Sequence, residues 1–254
     1  RNVYLYSPLN SDTWYFIPWD NDGSLMRSEY NITGLSGQKS WESGVSNYWG
    51  NVLFQRCLKS DHFRQKLDEA ILDLKEYLSK ERMSAMVEKY KDVVKPYLYE
   101  MPDEFYAPLT SEQYDEIAAA LPKEIEQNYQ LYVDSLSKPM PFYIGVPETD
   151  GEKMKITWDP SYSFDAEDIT YSVEVAKDYL FQDVIYSQEG LQIPETQVSL
   201  PEAGQYFIRV RAFNEEGDAQ DAFDYYVTDE GKHYGMKCIY VTEDGQIEED
   251  IYEE

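Results

Sequence analysis

Cysteine and histidine are nearly absent, with two of each in 254 residues. Cys57 and Cys238 lie far apart in the chain. That excludes a disulfide framework and a Cys-based zinc site, which both need ligands in closely spaced pairs. His62 and His233 leave little material for a His-based triad or a His-rich metal site. Basic charge is also scarce: 22 Lys and Arg stand against 49 Asp and Glu, a net charge of -27. Binding a phosphate backbone needs a basic surface, so nucleic acid is not expected as a partner. No run approaches the roughly 18 uninterrupted apolar residues of a membrane helix, so no membrane span is expected.

What is present is enough to fold. A hydrophobic fraction of 42%, with 15% aromatic residues, can build real cores. At about 100–200 residues per domain, the length suggests two domains. The chain opens at Arg1 on a strand-like run with no apolar leader, and is expected to be cut from a longer protein whose N-terminal part would carry any signal peptide. Residues 1–139 hold 15 basic and 22 acidic side chains, net -7, whereas residues 140–254 hold 7 and 27, net -20. The pattern changes at the same place, where Lys138-Pro-Met-Pro141 interrupts regular structure. The expected domains are therefore 1–139, 140–230 and an acidic hairpin or linker over 231–254.

In the first part, Asn2-Val-Tyr-Leu-Tyr6 and Thr13-Trp-Tyr-Phe-Ile17 flank the turn Ser7-Pro-Leu-Asn-Ser11 and read as a β-hairpin. A Gly-, Ser- and Asn-rich loop follows from Asp20 to Gly50. The period then becomes helical. Phe63, Leu67, Ile71, Leu74 and Leu78 form one stripe, with Ser60 as N-cap. Met83, Val87, Tyr90, Val94 and Leu98 form a second, with Pro96 bending or ending that helix. A third runs from Tyr114 through Ile117, Leu121, Ile125, Tyr129 and Tyr132 to Leu136. Thr110-Ser-Glu-Gln113 has capping-box spacing before it, and Pro122 is a point where it can kink. These stripes are expected to make a helical core.

The second part alternates with the period of a strand. The predicted inward residues are Met154, Ile156 and Trp158, then Tyr171, Val173 and Val175, then Tyr206, Ile208, Val210 and Ala212, with Arg209 and Arg211 facing water. Trp158 in an early strand, followed by Gly204-Gln-Tyr206 opening Ile208-Arg-Val-Arg-Ala-Phe-Asn214, resembles a fibronectin type III module over roughly residues 140–228. Tyr206 falls where that fold has its tyrosine corner. Beyond it, Asp244-Gly245 between two alternating runs is a hairpin signal.

One segment carries candidate chemistry. Trp14-Tyr-Phe-Ile-Pro-Trp-Asp-Asn-Asp-Gly23 is a hydrophobic strand that stops at a proline and is followed by two carboxylates and a glycine. Asp20 and Asp22 are hard oxygen donors with little positive charge nearby, the ligand type that suits Mg²⁺ or Mn²⁺. An EF-hand is excluded, because Gly23 at the sixth position of that loop would put Pro18 at its first ligand position. A plain polar turn closing a hairpin remains the alternative. The same run, with Asn2-Val-Tyr-Leu-Tyr6, Asn51-Val-Leu-Phe-Gln-Arg-Cys-Leu58 and Asp61-His-Phe-Arg64, resembles the C-terminal half of the CotH family of spore-coat kinases over residues 1 to about 138.

That resemblance implies a hairpin and a helical lobe like the C-lobe of an atypical protein kinase; with the antiparallel sandwich expected after it, the fold class is α+β. It implies Asp20 as the metal ligand beside ATP, Asp22 as a weaker candidate, and Asn2 as a second residue on the metal and nucleotide side. The family's catalytic Asp and nucleotide-gripping Lys are expected upstream of Arg1, and Gly34-Leu-Ser-Gly37 is no P-loop. The chain alone is thus expected to be an incomplete kinase.

The expected setting is secreted or surface-exposed and bacterial, with an unidentified protein substrate and with cell-surface or cell-wall partners for the sandwich. The competing expectation is a non-catalytic extracellular scaffold or adhesive, carbohydrate-associated module, in which Trp41, Tyr48 and Trp49 would stack on sugar rings if exposed. Cys57, inside an apolar helical run, is expected to be a buried thiol.

Overall fold

In a computed structural model, residues 3–19, 44–107, 109–229 and 231–250 are described. The fold is α+β. The chain divides into two compact units, one made of Arg1–Gly34 with Tyr77–Ile125, the other of Leu35–Glu76 with Glu126–Glu254.

The first unit contains the hairpin of β1 (Val3–Tyr6) and β2 (Tyr15–Pro18), antiparallel with Val3 opposite Pro18 and Tyr6 opposite Tyr15. It also holds α4 (Lys80–Tyr99), a short 3-10 turn at Asp103–Tyr106 and the first half of α5 (Ser111–Ser137). Ser79 caps α4 by accepting from the Arg82 N–H at 3.4 Å. The capping box at the start of α5 is reciprocal. The Gln113 N–H donates to Thr110 Oγ1 at 3.3 Å, and the Thr110 N–H donates to Gln113 Oε1 at 2.9 Å. Neither proline ends its helix: α4 runs past Pro96 to Tyr99, and α5 runs past Pro122 to Ser137.

The helical stripes are less buried than their period suggested. On α4 only Met83 is buried, while Tyr90 and Val94 stay exposed; on α3 (Asp61–Tyr77) no residue is fully buried. A 3.6-residue period marks which face is apolar, not whether a neighbour covers it. The helical-core expectation is corrected to that extent.

In the second unit, α1 (Ser46–Trp49), α2 (Val52–Leu58) and α3 precede the sandwich. Asn51 caps α2 through Oδ1, which accepts from Leu53 N–H at 3.0 Å and Phe54 N–H at 3.4 Å. Ser60 Oγ accepts from the Phe63 N–H at 3.4 Å, the cap expected for α3. A core cluster of Val45, Trp49, Leu58, Tyr132 and Met140 lies among these helices, the end of α5 and the loops of the sandwich. Among the described residues no helix is long and apolar enough to cross a membrane.

The sandwich has a three-stranded sheet in the order β3 (Glu148–Asp150), β4 (Lys153–Thr157), β7 (Glu195–Ser199). It faces a larger sheet in which β5 (Thr170–Ala176) and β8 (Gly204–Phe213) are central. On one side of that pair lies β6 (Val184–Leu191). On the other lie β12 (Met236–Val241) and the edge strand β13 (Ile247–Glu249), while β9 (Ala219–Asp221) pairs with β8. β10 (Tyr225–Thr228) and β11 (Gly231–Tyr234) form a separate hairpin.

The large sheet thus continues beyond residue 230, and the acidic C-terminal hairpin is its margin. All ten predicted inward residues from Met154 to Ala212 are buried in one cluster with Ile239 and Val241. Arg209 and Arg211 lie on the opposite face, paired with Glu174 and Asp221.

Candidate functional site

The site expected from the sequence sits beyond the tip of β2. There the structure describes the chain as far as Trp19, whose ring stacks on Tyr4 at 5.6 Å with the planes 22° apart. Antiparallel pairing with β1 and the aromatic contact set the direction in which β2 ends, and Pro18 closes the strand. The hairpin side chains from Tyr4 to Tyr6 and from Trp14 to Ile17 are all at least intermediate in exposure, and most of them are large and apolar. Asn2, Asp20, Asp22 and Trp41 lie outside the described residues. Among the described residues, no group of three or more His, Cys, Asp and Glu is arranged to hold a metal ion.

Downstream, several expectations can be checked directly. Trp49 is only 4% exposed and Tyr48 is 55% exposed. Trp49 is therefore a core residue, unable to present its ring to a sugar. Cys57 is half-buried, less enclosed than expected, and Cys238 is buried. Desolvation pushes the Cys238 thiol up to about 11, so it is held in its unreactive neutral form. The Tyr132 hydroxyl donates to the Asp68 carboxylate, and burial is the main cause that raises its pKa, with that hydrogen bond adding to it.

Sequence reasoning missed one enclosed ion pair. Asp224 and Lys237 form an ion pair at 3.0 Å, and Lys237 also reaches Glu249. Asp224 Oδ2 accepts from the Ile144 N–H at 2.7 Å. Burial raises the Asp224 carboxyl against the pull of Lys237. Burial also works against the Lys237 ammonium, but the Asp224 and Glu249 carboxylates outweigh it and hold its pKa above the ordinary lysine value. The only sequence signal was a Lys at an alternating strand position, with no means of naming its partners. Both Asp224 carboxylate oxygens are taken up by protein donors, so the pair is structural chemistry.

Three comparisons bear on the chain. A family model described as CotH kinase protein matches residues 1–132. No curated protein matches. Among solved structures, the twitchin kinase region from C. elegans is similar at 16% identity over 37% of this chain and 20% of that one, with a TM-score of 0.26. The Clostridium perfringens spore cortex lytic enzyme SleM is similar at 16% identity over 41% of this chain and 29% of that one, with a TM-score of 0.27. The chain thus spans less than a third of either structure, and likeness at those scores carries no weight for fold or function.

Proposed function

The chain belongs to the CotH kinase protein family, and we propose that residues 1–132 serve divalent-metal- and ATP-dependent phosphoryl transfer to a protein substrate. The observation that carries this reading is the family match over the stretch that contains Pro18-Trp-Asp-Asn-Asp22. Asp20 and Asp22 offer two carboxylates, and Asn2 an amide oxygen, which is the hard-oxygen donor set that Mg²⁺ or Mn²⁺ prefers. In this reading Asp20 is the principal metal ligand, Asp22 a secondary one, and Asn2 a further residue on the nucleotide side. A bound metal would supply positive charge to the β- and γ-phosphate oxygens of ATP. The part played by this chain is to supply the two carboxylates directly after the strand that Pro18 closes.

The sandwich is proposed to be of the fibronectin type III kind. Support comes from buried Trp158 beside β4 and from the Tyr206 hydroxyl, which donates to the Glu202 carbonyl at 3.0 Å in the manner of a tyrosine corner. We place the protein outside the bacterial cell or on its surface, where a net charge of -27 meets salt and cations, with cell-surface or cell-wall partners for the sandwich.

Calorimetric titration of the chain with Mn²⁺, repeated on Asp20→Ala and Asp22→Ala, tests the metal site. Asp20→Ala is expected to abolish the binding heat and Asp22→Ala to weaken it. Identical heats from the original chain and Asp20→Ala would remove Asp20 from the site. A chain that takes up no metal at all favours the scaffold reading.

A further inference from the structure

Helices α1 and α2 hold 4 and 7 residues, whereas isolated helices shorter than about 12–15 residues are marginal in water. α3 is longer, but none of its residues is fully buried. The stability of this segment must come from what it packs against. Trp49 at the end of α1 stacks on Tyr162 at 5.4 Å and meets the edge of Phe164 at 5.7 Å. The Lys59 ammonium lies 5.1 Å from the Tyr162 ring, and the Arg64 guanidinium 4.8 Å from the Phe164 ring. Arg64 also donates through Nη1 to the Leu58 carbonyl at 2.7 Å, which closes the C-terminal end of α2.

The sandwich residues are themselves held in place. The Met140 N–H donates to the Tyr162 carbonyl at 2.9 Å, and Ser161 Oγ donates to the Met140 carbonyl at 2.5 Å. Met140 is wholly buried in the same cluster as Trp49. Asn214 Nδ2 donates to the Ser137 carbonyl at 3.1 Å, which ties the end of α5 to the loop after β8. The prolines that mark the change of pattern in the sequence, Pro139 and Pro141, are fully buried, so this stretch is not a solvated linker.

From this packing we propose that the β-sandwich is the folding partner of α1–α3. The aromatic floor of Tyr162 and Phe164 supplies the burial that keeps residues 44–76 helical. The sandwich is therefore a fixed mount for this part of the family-matched stretch, not a module on a tether. The proposal is independent of whether Asp20 binds a metal.

Hydrogen exchange on the full chain tests it, comparing the original protein with the Tyr162→Ala/Phe164→Ala double variant. Losing both rings is expected to speed amide exchange in α2 and the first turns of α3 by about a hundredfold, with β5 and β8 still protected. Unchanged exchange in α2 and α3 with β8 protected overturns the proposal. Should the double variant lose β8 protection as well, Phe164→Leu decides in the same assay. Faster exchange confined to α2 and α3 then supports the mount, and unchanged exchange overturns it.

Discussion

Lys237 Nζ lies 3.0 Å from Asp224 Oδ1, with side-chain exposures of 10% and 9%. A pair this enclosed is costly to break on one side, because the surviving charge stays in a low-dielectric site without its partner. Lys237→Met is therefore expected to lower stability by about 3–5 kcal/mol in urea unfolding. The double variant Lys237→Met/Asp224→Asn should lose clearly less than the two single changes added together. Strict additivity in that cycle would mean that the two groups do not interact.

Alkaline pH should loosen the same sheet. The Cys238 thiol is raised from 9.0 to about 11, chiefly by burial. A pKa raised by folding contributes stability that is complete below the unfolded value and is lost as pH climbs through the folded one. The fall therefore belongs between pH 9 and about 11 and amounts to about 3 kcal/mol. Cys238→Ala should make the fall in that window shallower. A further fall remains at higher pH, from Lys237 and from the buried tyrosines Tyr132 and Tyr171, because folding raises the pKa of each of them as well.

At the start of α5, Thr110→Ala removes the acceptor for the Gln113 N–H. Helix-cap losses of this kind cost about 1 kcal/mol. A drop in thermal midpoint is expected for Thr110→Ala, and a smaller one for Gln113→Ala. No change for either would show that the box is dispensable.

Gly44 adopts φ +62, and a Cβ there would fall 2.0 Å from Ser135 Oγ and 2.9 Å from the Leu131 carbonyl oxygen. Ser135 Oγ in turn accepts from the Val45 N–H at 3.0 Å. Gly44→Ala combines backbone strain with a clash in a closed site, and is expected to cost about 2–4 kcal/mol by calorimetry. A neutral substitution would mean that the segment before α1 is not anchored on α5.

Tyr206→Phe keeps the buried ring and deletes the hydroxyl that donates to the Glu202 carbonyl. About 1 kcal/mol of stability should be lost, with the strands intact by circular dichroism. A variant as stable as the original would count against a tyrosine corner at this position.

How much of this could be read in advance depended on how local the cause was. Ser60 and Thr110-Ser-Glu-Gln113 act over three residues, and their caps appear where the spacing placed them. The parity of Tyr206, Ile208, Val210 and Ala212 follows from strand geometry, and all four are buried. The candidate metal residues Asn2, Asp20 and Asp22 were legible only as donor chemistry plus a family resemblance, because a ligand set is defined by where distant segments meet. Phe207 on the outer face of β8 shows the same limit: it is buried against Met236 and Cys238, which join from far along the chain.

The amino-acid order by itself therefore determined the hairpin, the long helical stripes and the inward faces of β4, β5 and β8, but not α1, which lies at Ser46–Trp49 inside the segment expected to be a loop. Those properties arise from side-chain period and from backbone hydrogen bonds within a turn or two. Only the tertiary structure decided that Asp224 neutralises Lys237, that Trp49 packs on Tyr162 and Phe164, and that the stripes of α3 and α4 remain largely open. Each of these depends on which surface comes to cover a given face, a choice made by chain topology and the competition for burial.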